Sequence, residues 1–197
     1  MLSHPLVVHA PLVFLPTAII ICLIGWVSPW KQLKIAGVAL LLAASVTGVL
    51  AANTGEEEEE RVEDRQPWAE EIGATGLVQT FGGDELLEAH AELGEMTRNL
   101  ALLLTAAGIA LLVVERRAPA VAAKLDKPAV ALLSVVGAVT IGVVVLTGHS
   151  GGALVHDYGV GIFATPPAAT STGDDEDEDE DEEKESGMVM PAHAVRG

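Results

Sequence analysis

The sequence contains very little cysteine and few basic residues, and these shortages exclude several kinds of protein. Its single cysteine, Cys22, lies inside an apolar run. One cysteine cannot form an internal disulfide, a cysteine-rich zinc site or a cysteine-ligated iron–sulfur cluster, and no C-x-x-C-H motif is present for covalent c-type haem. With 11 Lys and Arg against 28 Asp and Glu, the chain also lacks the basic stripe that a nucleic-acid surface needs. We therefore expect no nucleic-acid partner.

The sequence is rich in apolar residues and in acidic residues, and it keeps them in separate blocks. Half of its 197 residues are hydrophobic, yet the formal net charge is −17. This segregation is typical of an integral membrane protein with acidic soluble parts. Four apolar segments, residues 6–26, 35–52, 97–114 and 129–147, approach the length of about 20 residues that crosses a bilayer. We predict an all-α fold, a four-transmembrane-helix bundle in the lipid bilayer, within residues 1–162.

The basic residues lie mainly in the two short connections of this predicted bundle. Six of the eleven are there, namely Lys31, Lys34, Arg116, Arg117, Lys124 and Lys127. The positive-inside rule places these connections in the cytoplasm. A multi-pass protein of the cell (inner) membrane follows, with both termini and an acidic loop, residues 53–96, on the outer side. Residues 163–197 contain a second acidic block and are predicted to form a disordered tail.

Short similarities between the two halves indicate two repeated helical hairpins. His9-Ala10-Pro11-Leu12 opens the first span, and His90-Ala91-Glu92-Leu93 precedes the third. Thr54-Gly55 and Thr147-Gly148 are expected to end the second and fourth helices. In a parallel repeat of this kind, His9 and His90 would occupy equivalent places on opposite sides of a pseudo-two-fold axis.

Five of the six histidines are expected to converge at the outer end of the bundle. They are His4, His9, His90, His149 and His156. His90 shares the apolar side of an amphipathic segment and should face the bundle. His9 lies within the first span, where an ionisable side chain is costly and is functional by default. His149 lies in glycine-rich sequence at the end of the fourth span, and His156 precedes Asp157, a carboxylate able to orient an imidazole.

Histidines from separate helices fit two kinds of cofactor site. Haem b takes two axial imidazoles, one from each side of the ring, in an apolar slot between helices. A zinc or copper site takes three or four ligands, for which His9, His90 and His149 are the candidates. The scarcity of carboxylates on the inner faces favours haem b. The alternative is a structural or assembly protein without a cofactor, whose histidines only form hydrogen bonds.

The two ends of the predicted bundle carry motifs that resemble a known family. The opening His4-Pro5-Leu6-Val7-Val8-His9-Ala10-Pro11-Leu12 and the closing Gly148-His149, Gly151-Gly152, Leu154-Val155 and Gly159-Val160-Gly161 are similar to a prokaryotic membrane family, domain of unknown function (DUF) 2231. The resemblance implies four membrane helices, and relatives look like partners of cytochrome c modules. The family more often has an aromatic residue where His156 stands and histidine where this chain has Tyr158. His9, His90 and His149 are therefore the stronger ligand candidates.

These observations favour a non-catalytic electron-transfer or accessory subunit over an enzyme. No nucleophile motif, phosphate-binding glycine loop or pair of inner carboxylates is present. A transporter is disfavoured because the interiors of the spans carry no charged residues. The predicted function is electron transfer through haem b between the membrane and a periplasmic or membrane cytochrome. The acidic outer loop would steer a basic partner toward the site.

Overall fold

The computed structural model describes residues 8–162, and in this range the protein is helical. Its elements are α1 (His9–Val27), α2 (Lys31–Arg65), a 3-10 helix (Pro67–Glu71), α3 (Gly76–Gly82), α4 (Leu86–Arg117) and α5 (Pro119–His156). The predicted all-α fold is confirmed. The expectations for His4 and for the tail, residues 163–197, fall outside the described residues.

Four of the helices are long and apolar enough to cross a membrane. They are α1, α2, α4 and α5, and each contains an apolar stretch of at least 18 residues. A helix satisfies its backbone hydrogen bonds internally, which a segment surrounded by lipid must do. The four apolar helices account for the four spans predicted from the sequence.

The four long helices form a closed ring around one core. α1 packs on α2, α2 on α4, α4 on α5, and α5 on α1. Neighbours in this ring run antiparallel, as residue pairs such as Cys22 with Gly37 and Ser45 with Thr105 indicate. Leu15, Leu41 and Leu104 fill the centre and are almost completely buried.

Glycines bring α1 and α2 into backbone contact. A Cβ placed on Gly37 would lie 2.7 Å from the backbone nitrogen of Cys22, and one on Gly25 would lie 2.6 Å from that of Lys34. Lipid tails compete for apolar side chains as well as a neighbouring helix does, so association inside a membrane depends on such close packing. These two glycines set the spacing of the first hairpin.

Two polar contacts join α2 to α4. The hydroxyl oxygens of Ser45 and Thr105 lie 2.9 Å apart in the buried middle of the bundle. Nearer the end where α4 stops, Lys34 Nζ donates to Glu115 Oε2 at 3.2 Å and lies 5.6 Å from the ring centre of Trp26. Lys34 is only 9% exposed, so its charge is paired where it is shielded from water.

Two helices continue past the points where the sequence predicted their ends. α2 does not stop at Thr54-Gly55 but runs to Arg65, and α5 does not stop at Thr147-Gly148 but runs to His156. Packing explains both extensions, because Val62 and Leu154, beyond the expected ends, are 5% and 4% exposed. The glutamates after Gly55 are also good helix formers.

The acidic region predicted as a loop, residues 53–96, is largely folded into helices beyond the apolar spans. The end of α2, the 3-10 helix, α3 and the first turns of α4 pack together there, burying residues that include Ala69, Val78 and Leu86. Gln66 joins this region to the chain after α5, because its side chain donates to Gly159 O at 3.4 Å and accepts from Gly161 N at 2.7 Å. Gly159 and Gly161 have positive φ, which suits glycine at this turn.

Replacing Gly37 with alanine should destabilise the bundle. The added Cβ would meet the Cys22 backbone at 2.7 Å, so α1 and α2 would have to separate. Overpacking of this kind costs about 1–3 kcal/mol. Thermal unfolding in detergent should show the loss. The matched control is Gly142→Ala, where the added Cβ would meet no described atom within 4 Å apart from the nearby backbone of its own helix. An equal effect of the two substitutions would contradict the assigned helix contact.

Candidate histidine site

His90 is held between α4 and α5 near the end of the bundle that carries the acidic residues 53–96. It lies in the first turns of α4, on the side that also carries the buried Leu86 and Leu93. Its Nδ1 lies 2.9 Å from Ser150 Oγ on α5, and Ser150 is completely buried. His90 is itself partly buried. The imidazole is therefore hydrogen-bonded to a neighbouring helix and is partly shielded from water.

Gly151 provides the surface against which the His90 ring lies. A Cβ on Gly151 would be 2.7 Å from Cε1 of His90 and 3.3 Å from each ring nitrogen. Real Cβ atoms do not approach other atoms as closely as 2.7 Å. Glycine at this position thus allows an imidazole on α4 to reach the backbone of α5.

A second polar contact joins the same two helices about two turns away. Thr97 Oγ1 on α4 lies 3.1 Å from Thr147 Oγ1 on α5. Thr147 Oγ1 donates to Val143 O at 2.9 Å, and Ser150 Oγ donates to Thr147 O at 3.0 Å. The side-chain pairs His90–Ser150 and Thr97–Thr147, linked through the backbone oxygen of Thr147, make a polar seam between α4 and α5.

His9 lies at about the same height as this site. A Cβ on Gly148 of α5 would be 3.7 Å from Leu12 of α1, in ordinary contact. His9 precedes Leu12 by three residues, and Gly151 follows Gly148 by three. Helices α1 and α5 run antiparallel, and each rises about 1.5 Å per residue. These two three-residue steps therefore cover the same distance toward the same end of the bundle. His9, which is exposed, and His90 therefore flank the same glycine-rich part of α5.

His149 and His156 lie on a different face of α5. Both are exposed, whereas Thr147, Ser150 and Leu154 face the bundle. At about 100° per residue, the two histidines share one side of the helix, roughly opposite the packed side. The structure thus brings His90 to α5 but does not bring His149 and His156 to the same place. Asp157, beside His156, is also exposed.

The described residues contain no group of three His, Cys, Asp or Glu placed to hold a metal ion. The set His9, His90 and His149 is accordingly not assembled there as a metal centre. The structure adds Ser150 and Gly151, which sequence reasoning missed. Their signal is the Thr147-x-x-Ser150-Gly151 spacing, and it has this meaning only if the helix continues past Gly148.

Comparison with known families covers every residue that the structure describes. Residues 3–164 match the model of a family described as predicted membrane protein (DUF2231). The chain belongs to the DUF2231 family. No curated protein and no solved structure matches it. The family match agrees with the resemblance seen in the sequence motifs and with the four apolar helices, so this DUF2231 chain is a membrane protein in contact with lipid.

The acidic region of this DUF2231 protein, residues 53–96, also contains a carboxylate cluster beside the site. Burial raises the pKa of Glu59 on α2, and the nearby carboxylates of Glu63, Glu56, Glu88 and Glu95 raise it further. The last two belong to α4, so like charges face one another across the two helices. Arg61 and Arg98 offset part of this repulsion through ion pairs with Glu58 and Glu95 at 2.6 Å and 3.4 Å.

The charge on Glu59 should make the packing of α2 on α4 in the acidic region less stable at neutral pH than in mild acid. Because the folded-state pKa of Glu59 is raised, its protonation stabilises the fold. This contribution is fully present below the ordinary pKa of 4.5 and is lost as pH rises through the folded-state pKa. Glu59→Gln should therefore raise the melting temperature at pH 7 and have little effect near pH 4.

The control for this substitution is Glu57→Gln. It removes one negative charge from the same helix, but Glu57 is exposed. Melting temperatures of both variants in detergent between pH 4 and pH 8 test the expectation. Equal gains for the two substitutions would attribute the effect to total charge rather than to the position of Glu59.

Proposed function

We propose that this protein is a membrane redox module that binds haem b at the outer end of its bundle, with His90 as one axial ligand and His9 as the other. The observation that carries the proposal is the position of His90, whose ring is hydrogen-bonded to Ser150 and packs on Gly151. Ligating histidines are oriented in this way by a hydrogen bond to the ring nitrogen that does not bind the metal.

Glycine and leucine residues around His90 support the proposal of a flat, apolar group. His9 and His90 come from helices on opposite corners of the ring and lie at a similar height, and they would hold the group. Gly94, one turn after His90, and Gly152 on α5 have no described atom within 4 Å of a hypothetical Cβ. Leucine side chains supply the apolar surroundings, with Leu93 fully buried beside the site. His149 and His156 are left out of the ligand set because they lie on the side of α5 opposite the side that carries Ser150 and Leu154.

The proposed chemistry is electron transfer rather than catalysis. Bound haem b supplies one-electron exchange, and the protein supplies its orientation and its surroundings. The carboxylates near Glu59 make the outer end attractive to a basic partner, such as a periplasmic or membrane cytochrome. In this proposal the site lies on the outer side of the inner membrane, with both termini also outside the cytoplasm.

A structural or assembly role is the second candidate, and one observation favours it. The polar groups that join the helices pair within the chain, including Ser45 with Thr105 and Lys34 with Glu115. The contact between His90 and Ser150 can serve the same purpose. In that case the histidine stabilises the α4–α5 packing, and no cofactor is needed.

The proposed orientation can be measured with single cysteines. In a Cys22→Ala background, Glu57→Cys and Lys124→Cys place thiols at exposed positions at the two ends of the bundle. A membrane-impermeant maleimide should label residue 57 in cells whose inner membrane is intact, and residue 124 only after permeabilisation. The native chain is the control, because its one cysteine is buried. The reverse labelling pattern would overturn the proposed orientation.

The haem proposal is tested by absorption spectra of the detergent-purified protein, oxidised and dithionite-reduced, with metal analysis of the same sample. We expect a Soret band and sharp reduced α and β bands after expression with ample haem. His90→Ala and His9→Ala should abolish the bands. His149→Ala and His156→Ala should keep them, because these side chains face away from the site.

Three other results would decide between the alternatives. A featureless spectrum without stoichiometric metal would reject the haem proposal and leave the structural role. Stoichiometric zinc or copper without haem bands would indicate a non-haem site. Loss of the bands in His149→Ala, with His90→Ala unaffected, would mean that the wrong face of α5 has been assigned to the cofactor.

A further inference from the structure

We propose that α3 is an interfacial helix, which lies on the lipid headgroup layer at the acidic end of the bundle and inserts Leu77 and Phe81 into that layer. Its partner is the surface of the bilayer, formed by zwitterionic lipid. This contact is additional to the four spans, and it does not depend on the proposed haem site.

The segment that contains α3 is uncharged, although it lies within the acidic region. Residues 72–83 contain no charged side chain, whereas Glu71 precedes them and Asp84 follows them. Within this segment Leu77 is 63% exposed and Phe81 is 51% exposed. A single exposed apolar side chain is ordinary on a protein surface. Two large ones in an uncharged stretch between carboxylates form a small apolar patch.

The exposed part of α3 has an apolar flank and a polar flank. Val78 lies on the side that packs against the protein and is 5% exposed. At about 100° per residue, Leu77 and Phe81 lie to one side of Val78, and Gln79 lies to the other. Gln79 Nε2 donates to Asp84 Oδ1 at 3.1 Å, so this second flank is polar. Such a division is typical of a helix that lies in the plane of a membrane surface.

α3 packs on the side of α4 that is exposed to lipid further along that helix. A Cβ on Gly82 would lie 2.7 Å from the backbone of Ala89, which is completely buried. Steps of seven residues return to nearly the same side of a helix, so Ala89 and Leu103 share a side to within about 40°. Leu103 belongs to the apolar span and is 56% exposed. The apolar patch of α3 therefore adjoins a surface of the protein that contacts lipid.

The length of α4 places α3 at the level of the lipid headgroups. Glu115, paired with Lys34, marks the far end of the apolar span. A hydrocarbon core about 30 Å thick takes about 20 residues of helix, which reach from Glu115 to about Glu95. The headgroup layer adds about 5–8 Å, and Ala89 lies about 9 Å beyond Glu95. Because a helix with its side chains is about 10–12 Å across, α3 overlaps that layer.

The charges near α3 indicate which lipid surface fits. Residues 66–83 contain no Lys or Arg, and Glu70 and Glu71 are exposed in the 3-10 helix that precedes α3. Attraction to anionic headgroups relies on basic side chains, which this segment lacks. Apolar side chains gain free energy by leaving water without any attraction between charges. A zwitterionic lipid surface therefore fits this segment better than an anionic one.

Depth measurement by electron paramagnetic resonance tests the proposal on the full chain in phosphatidylcholine vesicles. In a Cys22→Ala background, a nitroxide spin label is attached to Leu77→Cys, Phe81→Cys or Gln79→Cys. Oxygen concentrates in lipid, whereas a nickel chelate stays in water. We expect labels at residues 77 and 81 to be several-fold more accessible to oxygen than to the chelate. The label at residue 79, on the polar flank, should show the opposite preference.

Two further labelled variants calibrate this scale. Leu103→Cys, in the span, gives the value for lipid, and Glu57→Cys, exposed on α2, gives the value for water. Equal access of the chelate to residues 77, 79 and 81 would overturn the proposal, because both flanks of α3 would then lie in water. Low access of both reagents to residues 77 and 81 would also overturn it and would assign the patch to contact with a second copy of the chain.

Tryptophan fluorescence gives a second measurement with a conservative substitution. Phe81→Trp keeps a large aromatic side chain, so the fold of α3 is retained. Phosphatidylcholine brominated near the headgroup end of its acyl chains should quench the added fluorescence of Phe81→Trp much more than that of Gln79→Trp. Equal quenching would contradict the proposal. Adding phosphatidylglycerol to the vesicles should not increase the quenching, and an increase would reject the zwitterionic surface as the partner.

Discussion

The bundle depends on the close approach of helix backbones at single glycines. Inside a bilayer, apolar side chains gain little by leaving lipid for protein, so helices are held by packing and by hydrogen bonds between them. Gly37 admits the backbone of α1, and Gly137 admits the Ile19 side chain. Gly151 allows a similarly close approach between α5 and α4, but the group that it admits is the imidazole of His90. The packing that holds the helices together therefore also creates the candidate site.

The number and type of the helices could be predicted because the hydrocarbon core demands long apolar segments, whatever the fold. The ends of α2 and α5 could not. A Thr-Gly pair only weakly favours a helix end, and the residues beyond it decide whether the helix continues. Val62 and Leu154 find buried positions beyond the two pairs, so packing outweighs the local preference. Those contacts depend on other segments of the chain and leave no local signal in the sequence.

The predicted end of α5 at Gly148 was wrong, and this error also affected the expected position of His149 in the candidate site. If α5 stopped at Gly148, a loop could turn His149 toward the bundle. A continuous helix instead fixes His149 about 100° from Ser150, on the exposed side. Ser150 gains its role from the same continuity and could not be recognised without it. The inward side of His90 was predictable, because glutamates at helical spacing mark the opposite side of α4 over three turns.

The carboxylate cluster and the histidine site belong to one electrostatic environment. Ser45 lies opposite Thr105 and Lys34 opposite Glu115, so equal steps along the antiparallel helices place Glu60 at the height of His90. Glu59 therefore lies within about one residue of that height, beside other carboxylates that already raise its pKa. Negative charges so close favour the more positive state of any group bound there, and salt screens this effect over about 8 Å. A redox group at His90 would consequently have its oxidised form stabilised, and the same field would draw a cationic partner to that end of the bundle.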